Sequence, residues 1–357
     1  MKKYNWVEPD VGEEEAEAVK EAVLSGWIGG RGPRCGELEK AFCVVTKAKY
    51  AIAVNNGTSA LLCAMQALRE AKYPMRFIVP TFTFFATGAA AYEMSESGLH
   101  FIDCDKKTWN MQTNLKQFQG VPIVLPVDVC GLPVDYDVIN KSGKVVLADS
   151  AESLGSLYKG NPIGSQALIH IFSLHVSKVI TSGEGGMITT NNEELYNIMK
   201  SITNQGYDKP AWWEYRHERL GFNYRMSELN AALALVQMKK LPRYVKERRE
   251  KAQIYKDIIG DRVEYQAIPK YCEPNYFLFG ILVKNNIKFC QTLAKEGIGS
   301  KCLFTPLHQQ KPFKQAIKLP NSEYIGEHGL SIPIHNRITE EDAKEIASIV
   351  KKVAKNE

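Results

Sequence analysis

The chain has 357 residues, 45% of them hydrophobic and 24% charged, with a formal net charge of +5; this is the composition of a soluble globular enzyme, long enough for one large domain and a smaller one. No Lys/Arg block is dense enough to form a nucleic-acid surface, although the mild positive charge favours small anions, phosphates included. No apolar run approaches bilayer length and Met1-Lys-Lys-Tyr-Asn-Trp6 holds no signal core, so a cytoplasmic protein without membrane contact is expected.

From Glu13 to Leu24 the apolar residues Ala16, Val19, Ala22 and Val23 fall at helical spacing, and Ser25-Gly26 supplies a stop. Tyr50 to Val54 reads as a short buried strand. Asn56-Gly-Thr-Ser then opens a helix with Leu61, Leu62, Met65 and Leu68 on one face. Further strands are predicted at Arg76 to Val79, His100 to Asp103, Pro122 to Val127, Lys144 to Ala148, Leu168 to Phe172 and Met187 to Thr190. Short apolar strands separated by helical stretches imply a mostly parallel sheet wrapped by helices. A long helical segment, Ser227 to Ile259, follows with an interruption expected at Leu241-Pro242. Beyond it Tyr276 to Val283 reads as a strand, Lys288 to Glu296 as a helix and Glu340 to Val353 as a final amphipathic helix. The expected division is a large domain over residues 1–245 and a smaller α+β domain over 246–357.

Eight cysteines (Cys35, Cys43, Cys63, Cys104, Cys130, Cys272, Cys290 and Cys302) show no C-x-x-C spacing and several sit in apolar runs. Reduced thiols are expected, with neither a disulfide framework nor zinc. His175 and His308 have no spaced His, Cys or Asp partners, so no metal site is predicted.

Three segments carry chemistry. Asn55-Asn56-Gly57-Thr58-Ser59 lies between a strand and a helix, where unpaired N–H groups and the helix dipole favour an anion. The plainer reading is a turn with Thr58 or Ser59 as an N-cap. Asp149 closes the strand Lys144 to Ala148, where ligands gather in open α/β sheets; it could hold a pyridinium N–H, or merely cap the turn Asp149-Ser-Ala-Glu152. Lys178 stands in the glycine-rich loop Ser173-Leu-His-Val-Ser-Lys178-Val-Ile-Thr-Ser-Gly183-Glu-Gly-Gly186, where desolvation would lower its pKa enough for Schiff-base chemistry. A phosphate cradle, a ring-nitrogen acid and a Schiff-base lysine are the three handles that pyridoxal phosphate (PLP) needs. The aromatic run Thr81-Phe-Thr-Phe84-Phe could stack on a flat cofactor or simply belong to the core. No Gly-x-Gly-x-x-Gly follows the first strand and no Gly-x-Ser-x-Gly is present, which argues against dehydrogenase and esterase readings.

Nearly end to end, the chain resembles the DegT/DnrJ/StrS-type nucleotide-sugar aminotransferases. The likeness is carried by Leu24-Ser-Gly-Trp27-Ile, Asn56-Gly-Thr-Ser-Ala-Leu61, Asp149-Ser-Ala-Glu-Ser-Leu-Gly155, Thr181-Ser-Gly-Glu-Gly-Gly-Met-Ile-Thr-Thr-Asn191, Gly221-Phe-Asn-Tyr-Arg-Met226 and Thr305-Pro-Leu-His308. The resemblance implies the fold type I PLP architecture, similar to aspartate aminotransferase. It also implies Lys178 as the Schiff-base lysine, Asp149 on the pyridine nitrogen, and Phe84 stacked on the ring. Gly57, Thr58, Ser59 and Ser173 are implied on the phosphate, and Glu152 near the ring hydroxyl. Asn223 matches an asparagine that reaches the phosphate of a neighbouring subunit's cofactor, which implies a homodimer with shared sites. Trp27, Trp212, Arg225 and His308 match positions near the sugar nucleotide.

Within that resemblance, Glu152 three residues after Asp149 and Gly-Phe-Asn-Tyr-Arg-Met look most like GDP-perosamine synthases, which aminate C4 of GDP-4-keto-6-deoxymannose using glutamate. Val127-Asp128-Val-Cys-Gly131 replaces a His-aromatic pattern before glycine, and Ser-Leu-His-Val-Ser-Lys178 is nearer to other subgroups. A UDP- or dTDP-linked substrate giving viosamine is therefore the alternative, with C3 amination a further one. Dehydratases of this fold replace the lysine by histidine, which Lys178 argues against. A non-catalytic sugar-nucleotide sensor is opposed by the joint presence of Lys178, Asp149, Thr58 and Asn223.

Overall fold

The computed structural model describes residues 3–207 and 214–355. The chain begins with helices α1 (Glu13–Leu24) and α2 (Pro33–Thr46). Proline in the first turn of α2 supplies no N–H where none is needed. An alternation follows: β1 (Tyr50–Val54), α3 (Gly57–Glu70), β2 (Phe77–Pro80), α4 (Phe85–Met94), β3 (Leu99–Ile102), β4 (Ile123–Val124), α5 (Tyr136–Asn140) and β5 (Val145–Asp149). A small hairpin, β6 (Leu157–Tyr158) and β7 (Asn161–Pro162), precedes β8 (Ile169–Ser173), β9 (Gly186–Thr190), α6 (Glu193–Thr203) and the long α7 (Glu228–Ile259). The C-terminal part holds β10 (Glu264–Tyr265), β11 (Cys272–Glu273), β12 (Phe279–Leu282), α8 (Asn286–Lys295), β13 (Lys301–Cys302), α9 (Pro320–His328), β14 (Gly329–Ile332) and α10 (Glu340–Lys355).

Seven strands form the main sheet in the order β1-β9-β8-β5-β4-β2-β3. β9 runs antiparallel to both neighbours, and the remaining pairs are parallel. The carboxyl ends of β1, β8, β5, β4 and β2 therefore share one edge with the start of β9. A second, antiparallel sheet has the order β10-β12-β14-β13 and is covered by α8 and α10. This is the mostly parallel α/β architecture with a smaller α+β part that the sequence predicts.

Two expectations change. The predicted strand Pro122 to Val127 forms a regular strand only at Ile123–Val124 and pairs again through the isolated bridge of Val127 to Asp149, because Pro122 and Pro126 offer no N–H. The predicted break at Leu241-Pro242 does not occur: α7 continues through Pro242. Its packing offsets the roughly 3 kcal/mol cost of an interior proline. Ala231, Ala234, Met238, Leu241 and Val245 enter the large core, and Ala252, Tyr255 and Ile259 enter the C-terminal core. The helix thus crosses the expected 245/246 boundary without a break, while its buried face changes partner within one or two turns of it.

All eight cysteines are unbridged. Among the described residues, no helix is long and apolar enough to cross a membrane.

Candidate active site

Sheet register brings the three chemical segments together. Val54 pairs with Gly186, which pairs with Ser173, and Asp149 pairs with Ile171 one strand over. The ends of β1, β8 and β5 therefore lie side by side.

At the end of β1, Asn56 caps α3: its side-chain oxygen accepts the Ser59 N–H at 2.8 Å. The first N–H groups of a helix have no partner within it and present partial positive charge. A Cβ added at Gly57 would come within 3.2 Å of the Ser173 Cβ, and one at Gly186 within 2.5 Å of the Asn56 carbonyl. The cradle is thus built from backbone, with no room for side chains. Beside it the buried Asn55 Oδ1 has no hydrogen-bond partner. Thr58 is exposed and Ser59 buried.

Asp149 ends β5 and is buried. Its Oδ2 accepts the Thr87 hydroxyl at 2.7 Å and its Oδ1 accepts the Ala151 N–H at 3.1 Å. Burial raises its pKa, against the pull of those two donors and of Lys178. Glu152 stands one turn further. Its Oε2 accepts the Cys130 N–H at 2.8 Å, its Oε1 lies 3.9 Å from Lys178 Nζ, and burial pushes its pKa to about 7.

Lys178 sits in the loop between β8 and β9. That loop is closed by backbone bonds from Leu174 to Gly185 and from Ser182 to Leu174 and contains Gly183 at φ +79°. The lysine side chain is only 16% exposed, and its ammonium lies 4.2 Å from the centre of the Phe277 ring. Burial lowers its pKa, while Glu152, Asp149 and Cys130 act in the opposite sense. A lysine whose pKa is lowered by desolvation gives up its proton more readily than a free one and can act as a nucleophile.

Phe84 caps α4 and is 60% exposed, 6.3 Å from the Phe304 ring centre. It stands one turn before Thr87, the residue that holds Asp149, so an aromatic face is available next to the acid. The set fits pyridoxal phosphate. The backbone cradle, with the free N–H groups of the first turn of α3, suits a phosphate, Asp149 a ring nitrogen, and Lys178 an aldehyde.

Asn223 is exposed and bridges to Asn204, whose side-chain oxygen accepts from Arg225 Nη1 at 2.9 Å. Trp27 is 53% exposed near the start of α2. Trp212 lies outside the described residues. His308 differs from the expectation of a substrate contact. It is 2% exposed, with Nδ1 2.8 Å from the Thr81 hydroxyl and Nε2 3.1 Å from Glu323. Both ring nitrogens are engaged within the protein, and the histidine pins the loop after β2 to α9. Sequence reasoning missed Thr87, Cys130 and Phe277. The first two act through a hydroxyl and a backbone N–H that no motif marks, and Phe277 comes from a distant segment.

The profile of the DegT/DnrJ/EryC1/StrS aminotransferase family matches residues 9–351. Protein MJ1066 from Methanocaldococcus jannaschii is 30% identical over 375 residues, covering 97% of this chain and 96% of that protein. PseC from Helicobacter pylori, an aminotransferase involved in the biosynthesis of pseudoaminic acid, superposes with a TM-score of 0.93 at 27% identity over 100% of both chains. Spr1654 from Streptococcus pneumoniae in its PMP form superposes with a TM-score of 0.91 at 26% identity, covering 98% of this chain and 99% of that one. The architecture is that of the fold type I enzymes. The chain belongs to the DegT/DnrJ/EryC1/StrS aminotransferase family and is a PLP-dependent aminotransferase.

Proposed function

We propose that this enzyme transfers the amino group of glutamate to C4 of a nucleotide-linked 4-keto-6-deoxyhexose, with GDP-4-keto-6-deoxymannose as the substrate and GDP-perosamine as the product. The observation that supports an amino-transfer site is the meeting of Lys178, Asp149 and the first turn of α3 at one sheet edge. The sugar-nucleotide class is supported by the family and by the likeness to PseC. Glu152 and Gly221-Phe-Asn-Tyr-Arg-Met226 support the GDP-linked sugar.

Pyridoxal phosphate, when bound, supplies an electron sink for the carbon that loses or gains the amino group. Lys178 takes a proton at Nζ and returns it, a role that its lowered pKa suits. Asp149, oriented by Thr87 and Ala151, keeps negative charge opposite a protonated ring nitrogen. Gly57, Thr58, Ser59 and Ser173 hold the phosphate at the α3 dipole. Glu152, 3.9 Å from Lys178 Nζ, would sit near the ring hydroxyl, and Phe84 would stack on the ring. Trp27 and Arg225 would contact the sugar nucleotide. The exposed Asn223, with exposed Leu220 and Phe222 beside it in sequence and exposed Leu24, Trp27 and Ile28 in the segment before Gly30, which abuts Arg225, supports a homodimer in which Asn223 completes the neighbour's phosphate site.

The replacement of a His-aromatic pair by Asp128 and Cys130 favours a second reading, a UDP- or dTDP-linked 4-keto-6-deoxyglucose giving viosamine. A panel of GDP-, UDP- and dTDP-linked 4-keto-6-deoxyhexoses, with glutamate as donor, separates them by the amino sugar formed. No amino sugar from any member would overturn the reading.

A further inference from the structure

Asp128 is fully buried behind the site and forms no ion pair among the described residues. An isolated buried carboxylate is costly unless several donors satisfy it, and here four converge. Its Oδ2 accepts the hydroxyls of Ser153 at 2.6 Å, Tyr136 at 2.9 Å and Ser150 at 3.1 Å; its Oδ1 accepts the Val134 N–H at 2.9 Å. Its own N–H donates to the Asp149 carbonyl at 3.2 Å.

The direction of one branch is set by the backbone. His170 Nε2 accepts the N–H groups of Gln166 at 3.1 Å and Ala167 at 2.9 Å, so its proton resides on Nδ1. That N–H points at the Ser150 oxygen, 2.9 Å away. The Ser150 hydroxyl is thereby left to donate to Asp128. A hydrogen-bond chain with all its protons aimed at a carboxylate strengthens each member. The branch from Ser153 ends on the same carboxylate oxygen.

Ser150 follows Asp149 and Ser153 follows Glu152, so the two hydroxyls grip the turn that carries both site acids at each end. We infer that Asp128 is the positioning residue of the site: through Ser150 and Ser153 it fixes where the carboxylates of Asp149 and Glu152 stand and supplies negative charge behind them. The titratable groups facing it are Tyr136 from α5, His170 from β8, Cys272 from β11, and Asp149 and Glu152 themselves; burial keeps Tyr136 and Cys272 protonated and His170 neutral. Asp128 also opposes ionisation of Glu152, and burial pushes its own pKa up to about 6, so its charge is present above that pH.

This inference rests on the reading of Asp149 as the ring-nitrogen acid. The test uses the full-length protein with three variants: Asp128→Asn, the double variant Ser150→Ala/Ser153→Ala, and Ser156→Ala. Ser156 is an equally buried hydroxyl in the same loop that donates to the Gly131 carbonyl at 2.7 Å and does not touch Asp128. The readouts are the Kd of pyridoxal phosphate and the pH midpoint of the bound cofactor's absorbance. Removing negative charge makes a nearby cation lose its proton more readily, so Asp128→Asn should lower the midpoint by about one unit. The double serine variant, which leaves Asp128 in place, should weaken cofactor binding about tenfold. Ser156→Ala should match wild type in both readouts whatever its stability. An unmoved midpoint in Asp128→Asn, unchanged affinity in the double variant, or an equal effect in Ser156→Ala would overturn the role of Asp128. A cofactor spectrum in Asp149→Asn identical to wild type would instead sink the underlying reading of the site.

Discussion

Glu152 Oε1 stands 3.9 Å from Lys178 Nζ, and each partner alters the other: the lysine lowers the carboxyl's pKa against burial, and the carboxylate raises the lysine's. The two share a proton-rich pocket in which Asp149 and Asp128 also bear on Glu152. Lysine chemistry in this enzyme depends on that balance.

Removing the amine tests its centre. Lys178→Ala should reduce amino transfer by about 10⁴-fold or more, since both the nucleophile and the proton carrier are lost. Pyridoxal phosphate should no longer give the visible absorbance of a lysine-bound aldehyde. Steady-state assay and an absorbance scan check both, and circular dichroism confirms the fold.

Asp149→Asn keeps the shape and the acceptor for Thr87 but removes the charge. We expect kcat to fall about 10²–10³-fold, the scale for losing one preorganised electrostatic interaction. The protein should remain folded, because a buried acid whose ionisation burial opposes gains from neutralisation. Single-turnover kinetics with glutamate alone would locate the loss in the first half-reaction.

Glu152 makes a stability prediction for the cofactor-free protein. Its pKa rises from 4.5 unfolded to about 7 folded. Between those values the folded protein binds more protons than the unfolded chain, so stability falls as pH rises through the window. Glu152→Gln removes this dependence. Relative to wild type the variant should gain stability on going from pH 4.5 to pH 7.5, by about 1–3 kcal/mol. Urea denaturation at the two pH values measures it.

Much of the fold is legible in the sequence because the main sheet is mostly parallel and buried on both faces, which makes its strands short apolar runs bounded by polar loops. Tyr50–Val54 and Glu13–Leu24 come out at their observed bounds. Pro242 misleads because propensity is local, whereas α7 is held by packing against α1, α2 and α10. Motifs at strand ends mark Lys178, Asp149 and Gly57. Thr87, Cys130 and Phe277 are invisible there, since a hydroxyl, an amide N–H or a ring face becomes functional only through folding contacts.

The cradle itself predicts a steric effect. Gly186→Ala would place a Cβ 2.5 Å from the Asn56 carbonyl and 2.8 Å from the Gly57 nitrogen, both backbone atoms. The cost should be about 1–3 kcal/mol. Because the strain falls on the turn before α3, affinity for pyridoxal phosphate should fall together with the thermal midpoint. Fluorescence titration and a thermal melt report the two.

Asn223 allows a test of shared sites that does not depend on the identity of the sugar. If Asn223 serves the neighbour's cofactor phosphate, a subunit carrying Asn223→Ala harms its partner's site, while one carrying Lys178→Ala harms its own. In a mixed dimer of the two, one site receives both lesions. The other has an intact Lys178 from the first subunit and an intact Asn223 from the second. Mixing the variants under conditions that exchange subunits should therefore raise activity well above that of either parent, toward half of wild type per dimer. If Asn223 instead acts within its own subunit, every site in the mixture keeps one lesion, and activity stays at the mean of the two parents.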